Sequence, residues 1–208
     1  MNFETVKPAE IEKRSFEIIT QELKAAGIRL DETLAPVIKR CIHTSADFEY
    51  AETLAFSEGA VDRMKELIRQ GATIVTDTNM ALAGINKKKL ASFGGRCICF
   101  MAEEDVAKEA TERGITRAAV SMERAAALGE KVIFAIGNAP TALIRLHEMM
   151  QEGTYTPAFI IGVPVGFVNV VWAKELFLGT SVPYIINRGR KGGSTIAAAI
   201  CNAVLYQM

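Results

Sequence analysis

The chain has 208 residues, 50% of them apolar, and balances 24 Lys plus Arg against 24 Asp plus Glu. That is ample for a buried core and gives no overall field to draw in nucleic acid or an acidic membrane surface. No stretch approaches the roughly 18 uninterrupted apolar residues of a membrane span, and the opening MNFETVKPAEIEKRSF has neither the apolar core nor the cleavage site of a signal peptide. The expectation is one cytoplasmic, soluble domain over residues 1–208, with no nucleic-acid or membrane partner and with Cys41, Cys97, Cys99 and Cys201 as buried free thiols lacking zinc-site spacing.

From Pro8 to Ala26, Ile11, Ser15, Ile18, Ile19, Leu23 and Ala26 recur at helical spacing, with a proline to open the helix and Gly27 to end it. A second helix is predicted from the cap Asp31, with Leu34, Val37, Ile38, Cys41 and Ile42 on one stripe and His43 at its C-terminal end. A third runs from Ser57 to Gln70 with Val61, Met64, Leu67 and Ile68 inward, and Gly71 stops it. Beyond Gly71 the pattern changes to short apolar runs, ATIVTD, RCICFM, KVIFAIGN, AFIIGVP and VPYIIN, separated by turn residues and helical segments. Because they are almost continuously apolar, they suit strands covered on both faces. The fold class that follows is α/β, a doubly wound, mostly parallel sheet with helices on both faces and a helical N-terminal layer.

In such sheets ligands sit beyond the carboxyl ends of the strands, so the residues after each run are the candidates for chemistry. The first run leads into TDTNMALAGI, which contains Asp77. In GNAPTAL, Gly137, Asn138 and Pro140 put free backbone N–H groups and a helix N-terminus at one spot, suited to an anion or simply a tight turn that needs glycine. NRGRKGGST gathers Arg190 and Lys191 beside Gly192, Gly193 and Ser194, a donor-rich cradle for a carboxylate or phosphate, or else a solvated basic turn. It is not a nucleotide-binding P-loop, because Gly192 and Gly193 intervene between Lys191 and Ser194. His43 follows Arg40 by one helical turn and precedes Thr44, Ser45 and Asp47, so it is either a proton-exchanging group or a structural residue, whereas His147 lies alone in LIRLHEMM and reads as packing or surface. Arg117, just after the cap Thr116, gains nothing from the helix dipole there, which invites a ligand or a salt bridge. INKKKL reads as a solvated loop or helix start and EEDVAKEATERG as an exposed helix face.

Taken together, IEKRSFEII, IKRCIHTSADFEY, TDTNMALAGINKKKLASFGG, GITRAAV, GNAPTAL, GVPVGFV and GRKGGSTIAAAICNAVLY resemble, in order and over effectively the whole chain, the methylmutases that act on precorrin-8X or its cobalt form in cobalamin biosynthesis. The IHTSADFEY and TDTNMALAGINKKKL versions look most like the anaerobic, cobalt-precorrin-8 type. The resemblance implies an α/β homodimer that shifts a methyl group between adjacent carbons of pyrrole ring C. It implies no cofactor and no protein-bound metal, since any cobalt arrives inside the corrinoid substrate. It also implies that His43 is catalytic, exchanging a proton with the ring-C nitrogen, and that Ser15, Arg40 and Arg117 hold peripheral carboxylates. Thr44, Asp77, Asn138, Arg190, Gly192, Gly193 and Ser194 complete the expected substrate-binding set. One departure stands out: after GVPVGFV the family usually continues Glu-Ser-Lys-Glu, whereas this chain has Trp172 and Ala173 before the retained Lys174 and Glu175. Two other readings compete with the isomerase, a corrinoid-binding protein that holds the intermediate without rearranging it and a phosphate-binding enzyme built on RGRKGGST.

Overall fold

A computed structural model describes residues 5–208; residues 1–4, part of the expected domain, lie outside the described residues. Pro8 opens a single 3-10 turn, Pro8–Glu10, that runs into α1 (Ile11–Ala25). Gly27 then takes a positive φ of 73°, and the N–H groups of Gly27 and Ile28 return to the carbonyls of Lys24 and Leu23, the hydrogen-bond pattern that closes a helix C-terminus. Only Ile19 and Leu23 of the expected α1 stripe are buried, and Ile11 and Ile18 face outward.

The helix α2 is Ala35–Ser45, three residues later than the cap position Asp31 suggests. Asp31 Oδ1 instead accepts the N–H groups of Thr33 and Leu34 and holds a turn ahead of the helix. Pro36 occupies the first turn of α2, and Ala46, in the left-handed region, ends it. Next come α3 (Tyr50–Thr53), β1 (Leu54–Phe56) and α4 (Ala60–Arg69), which is shorter at both ends than the Ser57–Gln70 expectation.

The expected strands follow as β2 (Thr73–Thr76), β3 (Cys97–Ile98), β4 (Val132–Ile136), β5 (Phe159–Gly162) and β6 (Tyr184–Asn187). Between β2 and β3 lie α5 (Asn79–Gly84) and α6 (Lys87–Ala91), capped by the side chains of Thr78 and Asn86. Between β3 and β4 lie α7 (Glu104–Arg113) and α8 (Arg117–Ala126), then α9 (Pro140–Gln151), α10 (Val170–Glu175) and, after β6, α11 (Ser194–Leu205). The charged run of α7 is exposed and tied to α8 by Arg124 with Asp105 and Glu109 and by Arg113 with Glu123.

The six strands form one sheet in the order β1-β6-β5-β4-β2-β3, parallel except for β1, which pairs antiparallel with β6 at the edge. Alternate residues feed two cores. Ile133, Ala135, Phe159 and Ile161 face α4, α11 and, beyond α11, α2 and α1, while Val132, Phe134, Ile136 and Ile160 face α8, α9 and α10. The sheet is therefore doubly wound with helices on both faces, and α1 and α2 form the additional N-terminal layer, packed on α11. No helix among the described residues is long and apolar enough to cross a membrane. All four cysteines are free, Cys41 and Cys201 buried and, against expectation, Cys97 and Cys99 only half-buried.

Candidate functional site

His43 sits exposed in the last turn of α2, with its ring stacked on Phe16 of α1 at 5.2 Å between centroids and 16° between planes. One turn earlier on the same helix, the Arg40 guanidinium lies 4.8 Å from the centroid of that same Phe16 ring and 5.3 Å from that of Tyr206, just past the end of α11. Glu12 of α1 pairs with Arg40, which holds the Glu12 carboxyl below its ordinary range. Phe16 is thus a common platform that restricts both the imidazole and the guanidinium. Arg40 and Thr44 line a cavity of about 270 Å³ together with Met80, Gly84, Thr195, Ala198, Ala199, Asn202 and Tyr206. The Thr44 hydroxyl donates to Arg40 O at 2.8 Å.

The strand order reverses between β2 and β4, and the crevice beyond their carboxyl ends is where an open α/β sheet ordinarily holds its ligand. Here the chain fills that crevice itself. Asp77, wholly buried just after β2, accepts the N–H of Gly137 on Oδ1 at 2.9 Å and those of Asn138 and Ala139 on Oδ2 at 2.8 and 2.6 Å. The expectation of free donors at Gly137 and Asn138 is corrected by this geometry, and with it the assignment of Asp77 as a substrate contact: the anion in that nest is internal. Burial pushes the Asp77 carboxyl above its ordinary range, opposed by the three N–H donors. Gly137 is needed for close approach, since a Cβ there would stand 2.7 Å from Ser194 Cα and 2.8 Å from Gly193 O. The Asn138 side chain itself remains on the surface.

The loop between β6 and α11 wraps over the end of β5. Gly193 N–H donates to Val163 O at 2.9 Å, and a Cβ on Gly192, whose φ is +156°, would lie 2.0 Å from that same oxygen. Ser194 Oγ is 2.8 Å from Thr78 Oγ1, joining the start of α11 to the cap of α5. Lys191 is committed to Asp47 and Glu49, each at 2.6 Å, on the segment just after α2. Arg190 is exposed, 5.4 Å from the centroid of Phe167.

Arg117 opens α8, exposed and without an ion-pair partner among the described residues. The Thr116 hydroxyl donates to that of Thr141 at 2.9 Å, so this helix start lies beside the first turn of α9. Arg117 therefore lies on the opposite face of the sheet from Arg40 and His43, whose helix α2 packs on α11. Ser15 Oγ donates to Ile11 O within α1 at 2.9 Å and stands next to the platform residue Phe16. His147 packs edge-on against Phe177, as its apolar helix suggests.

A sequence model of the precorrin-8X methylmutase family matches residues 10–207. The chain belongs to that family. It is 42% identical over 200 residues to a cobalt-precorrin-8 methylmutase of Priestia megaterium, covering 96% of this chain and 88% of the relative. It is 42% identical over 208 residues to a cobalt-precorrin-8 methylmutase of Salmonella typhimurium, covering 97% and 96%. Its fold superimposes on the crystal structure of a precorrin-8x methyl mutase from Thermus thermophilus with a TM-score of 0.84 at 38% identity, over 95% of this chain and 96% of that one. The protein is accordingly a methylmutase, an isomerase of cobalamin biosynthesis.

Several features of this methylmutase site escape a reading of motifs alone. Phe16 and Tyr206 brace Arg40 from positions 24 residues before it and 166 after it, each inside a quoted motif whose local pattern does not reveal the contact. Met80, Val165, Phe167 and Val168 are large apolar side chains exposed on the connections that follow β2 and β5, with Phe167 at 82%. Trp172, at 54% exposure, extends the same connection, whereas Ala173 is fully buried against the core. The indole at the departure from the family pattern is therefore a surface feature, and the residue beside it fills space in the interior.

Proposed function

We propose that this methylmutase acts on cobalt-precorrin-8 and that His43 is its general acid. The observation that carries the reading is the posture of His43: an exposed imidazole in the last turn of α2, stacked flat on Phe16 and one helical turn from Arg40. In the reaction, the bond from the methyl carbon to one carbon of ring C breaks as a bond to the adjacent carbon forms, so substrate and product are isomers. A proton lent by His43 to the ring-C nitrogen draws electron density from the neighbouring carbon and eases the migration, after which the proton returns. Arg40 and Arg117, one from each face of the sheet, suit bidentate contacts to the acidic arms of the macrocycle. Ser15, Thr44, Asn138, Arg190 and the Gly192–Gly193–Ser194 turn are further candidate contacts. The cobalt is written as part of the substrate, in keeping with the names of the Priestia and Salmonella relatives, and no additional cofactor is invoked.

Replacing His43→Ala should lower kcat by about 10²- to 10⁴-fold, the usual span of general acid catalysis, and leave corrinoid binding largely in place. Conversion is followed by the visible spectrum of cobalt-precorrin-8, and binding by absorbance titration with the product. Near-normal turnover would remove His43 from the mechanism.

The same reading places the enzyme in the cytoplasm as a homodimer. Support for the dimer comes from Val165, Phe167, Val168 and Trp172, four large apolar side chains exposed within eight residues of sequence that a monomer would leave in water. Sedimentation velocity measures the mass directly, and a monomer at micromolar concentration would count against it.

A further inference from the structure

Among the described residues, Lys174 is the one cation that is fully buried. It sits on α10 with no carboxylate partner, and its ammonium donates to two backbone carbonyls, Gly189 O and Lys191 O, each at 2.8 Å. Burying a charge in this way is costly, and an apolar side chain of similar volume ordinarily serves stability at least as well. Burial alone pushes the Lys174 pKa down to about 8. The two carbonyls belong to the loop between β6 and α11, and what the ammonium supplies is the shape of that loop.

The loop has little else to define its inner side. Gly189 is left-handed at φ +72°, and Gly192 and Gly193 have φ of +156° and +135°, conformations with a low intrinsic preference for any one path. The remaining ties are Asn187 Nδ2, which donates to Lys191 O at 2.8 Å, Arg188 N–H to Thr53 O at 2.9 Å, Gly193 N–H to Val163 O, and Gly166 N–H to Arg190 O. Lys191 is then held at both ends. Its carbonyl is gripped by Lys174 and Asn187, and its own ammonium crosses to Asp47 and Glu49, two and four residues beyond the end of α2 that carries His43.

We propose that Lys174 is a positioning residue: its buried ammonium fixes the 188–193 loop so that Arg190 and the Gly192–Ser194 turn meet the substrate and Lys191 braces the segment behind His43. This rests on the substrate-binding role proposed above for that loop.

The test compares wild type with Lys174→Met, which keeps the volume and removes all donors, and Lys174→Gln, which keeps a donating group. Hydrogen exchange on the free proteins should show the hydrogen-bonded amides of Arg188, Gly193 and Gly166 exchanging about tenfold faster in the Met variant, with the Gln variant in between. With cobalt-precorrin-8 as substrate, KM should rise about tenfold in the Met variant while kcat stays within about threefold, the split expected when ground-state and transition-state binding are lost together. Unchanged exchange, exchange that quickens with KM unmoved, a loss confined to kcat, or failure of both variants to fold would each overturn the proposal. The exchange experiment needs no turnover, so it reads the loop even if wild type proves unable to rearrange cobalt-precorrin-8, a result that would sink the functional reading instead.

Discussion

Replacing Asp77 by Asn tests whether the crevice at the strand-order reversal is an internal structural element. The carboxylate receives three N–H donors, one on Oδ1 and two on Oδ2. An amide of the same shape has a single acceptor oxygen. In its better orientation it would keep Asn138 and Ala139 and turn its own NH2 toward the N–H of Gly137. One buried donor left facing another costs about 1–3 kcal/mol, and the two retained bonds weaken by about 1 kcal/mol each on losing the charged acceptor. Relief from burying a carboxylate offsets part of this, so the net loss should be about 1–3 kcal/mol. For a chain of 208 residues that lowers Tm by roughly 2–12 °C, at about 2–4 °C per kcal/mol. Urea unfolding followed by circular dichroism should show the same loss as a lower midpoint with an unchanged m-value. A variant that melts within about 1 °C of wild type but binds substrate poorly would refute the reasoning and return Asp77 to the ligand.

Gly192→Ala places a Cβ 2.0 Å from Val163 O in a backbone conformation that L side chains rarely adopt; a loss of about 1–3 kcal/mol in unfolding free energy and a measurably weaker corrinoid titration are expected. Phe16→Ala removes the platform under His43 and Arg40. At about 0.5–1.5 kcal/mol for the stack, kcat/KM should fall by roughly three- to tenfold, and Phe16→Tyr should largely restore it. For Lys174 the pH dependence has a definite sign, because burial depresses the native pKa from 10.5 to about 8. The unfolded chain then holds the extra proton between those values, so this group makes the native state more stable as pH rises through that window, by at most about 3 kcal/mol. Urea midpoints of wild type and Lys174→Met between pH 7 and 10 should differ by this rising component, and parallel curves would contradict it.

What was legible in the chain was whatever the local pattern encodes. The runs KVIFAIGN and AFIIGVP are apolar on consecutive residues because both faces of the sheet are covered, and they became β4 and β5. The segment LAF carries no comparable signal, since three residues are too few to display a period, and β1 is defined by its antiparallel pairing with β6 some 130 residues later. The site divides in the same way. Arg40 and His43 are one turn apart on one helix, so their juxtaposition follows from spacing alone. Asp77 meets Gly137, 60 residues away, and Lys174 meets the carbonyls of Gly189 and Lys191 across a strand. Nothing in GNAPTAL reveals that its N–H groups already have an acceptor. The glycine there serves close packing against α11.

The internal carboxylate has a consequence for where a macrocycle can lie. A mononucleotide-sized ligand could enter the crevice between β2 and β4 if its donors were free, but Asp77 has taken them and the start of α11 closes against Gly137. On the proposed reading the substrate is therefore excluded from that crevice and rests on the surface. The surface offers cationic and apolar groups on several elements: Arg40 beside His43 on α2, Arg117 at the start of α8, and Met80 and Phe167 exposed on the strand-end connections. A flat apolar ring with acidic arms calls for both kinds of group, whereas a small compact anion calls for the cations alone.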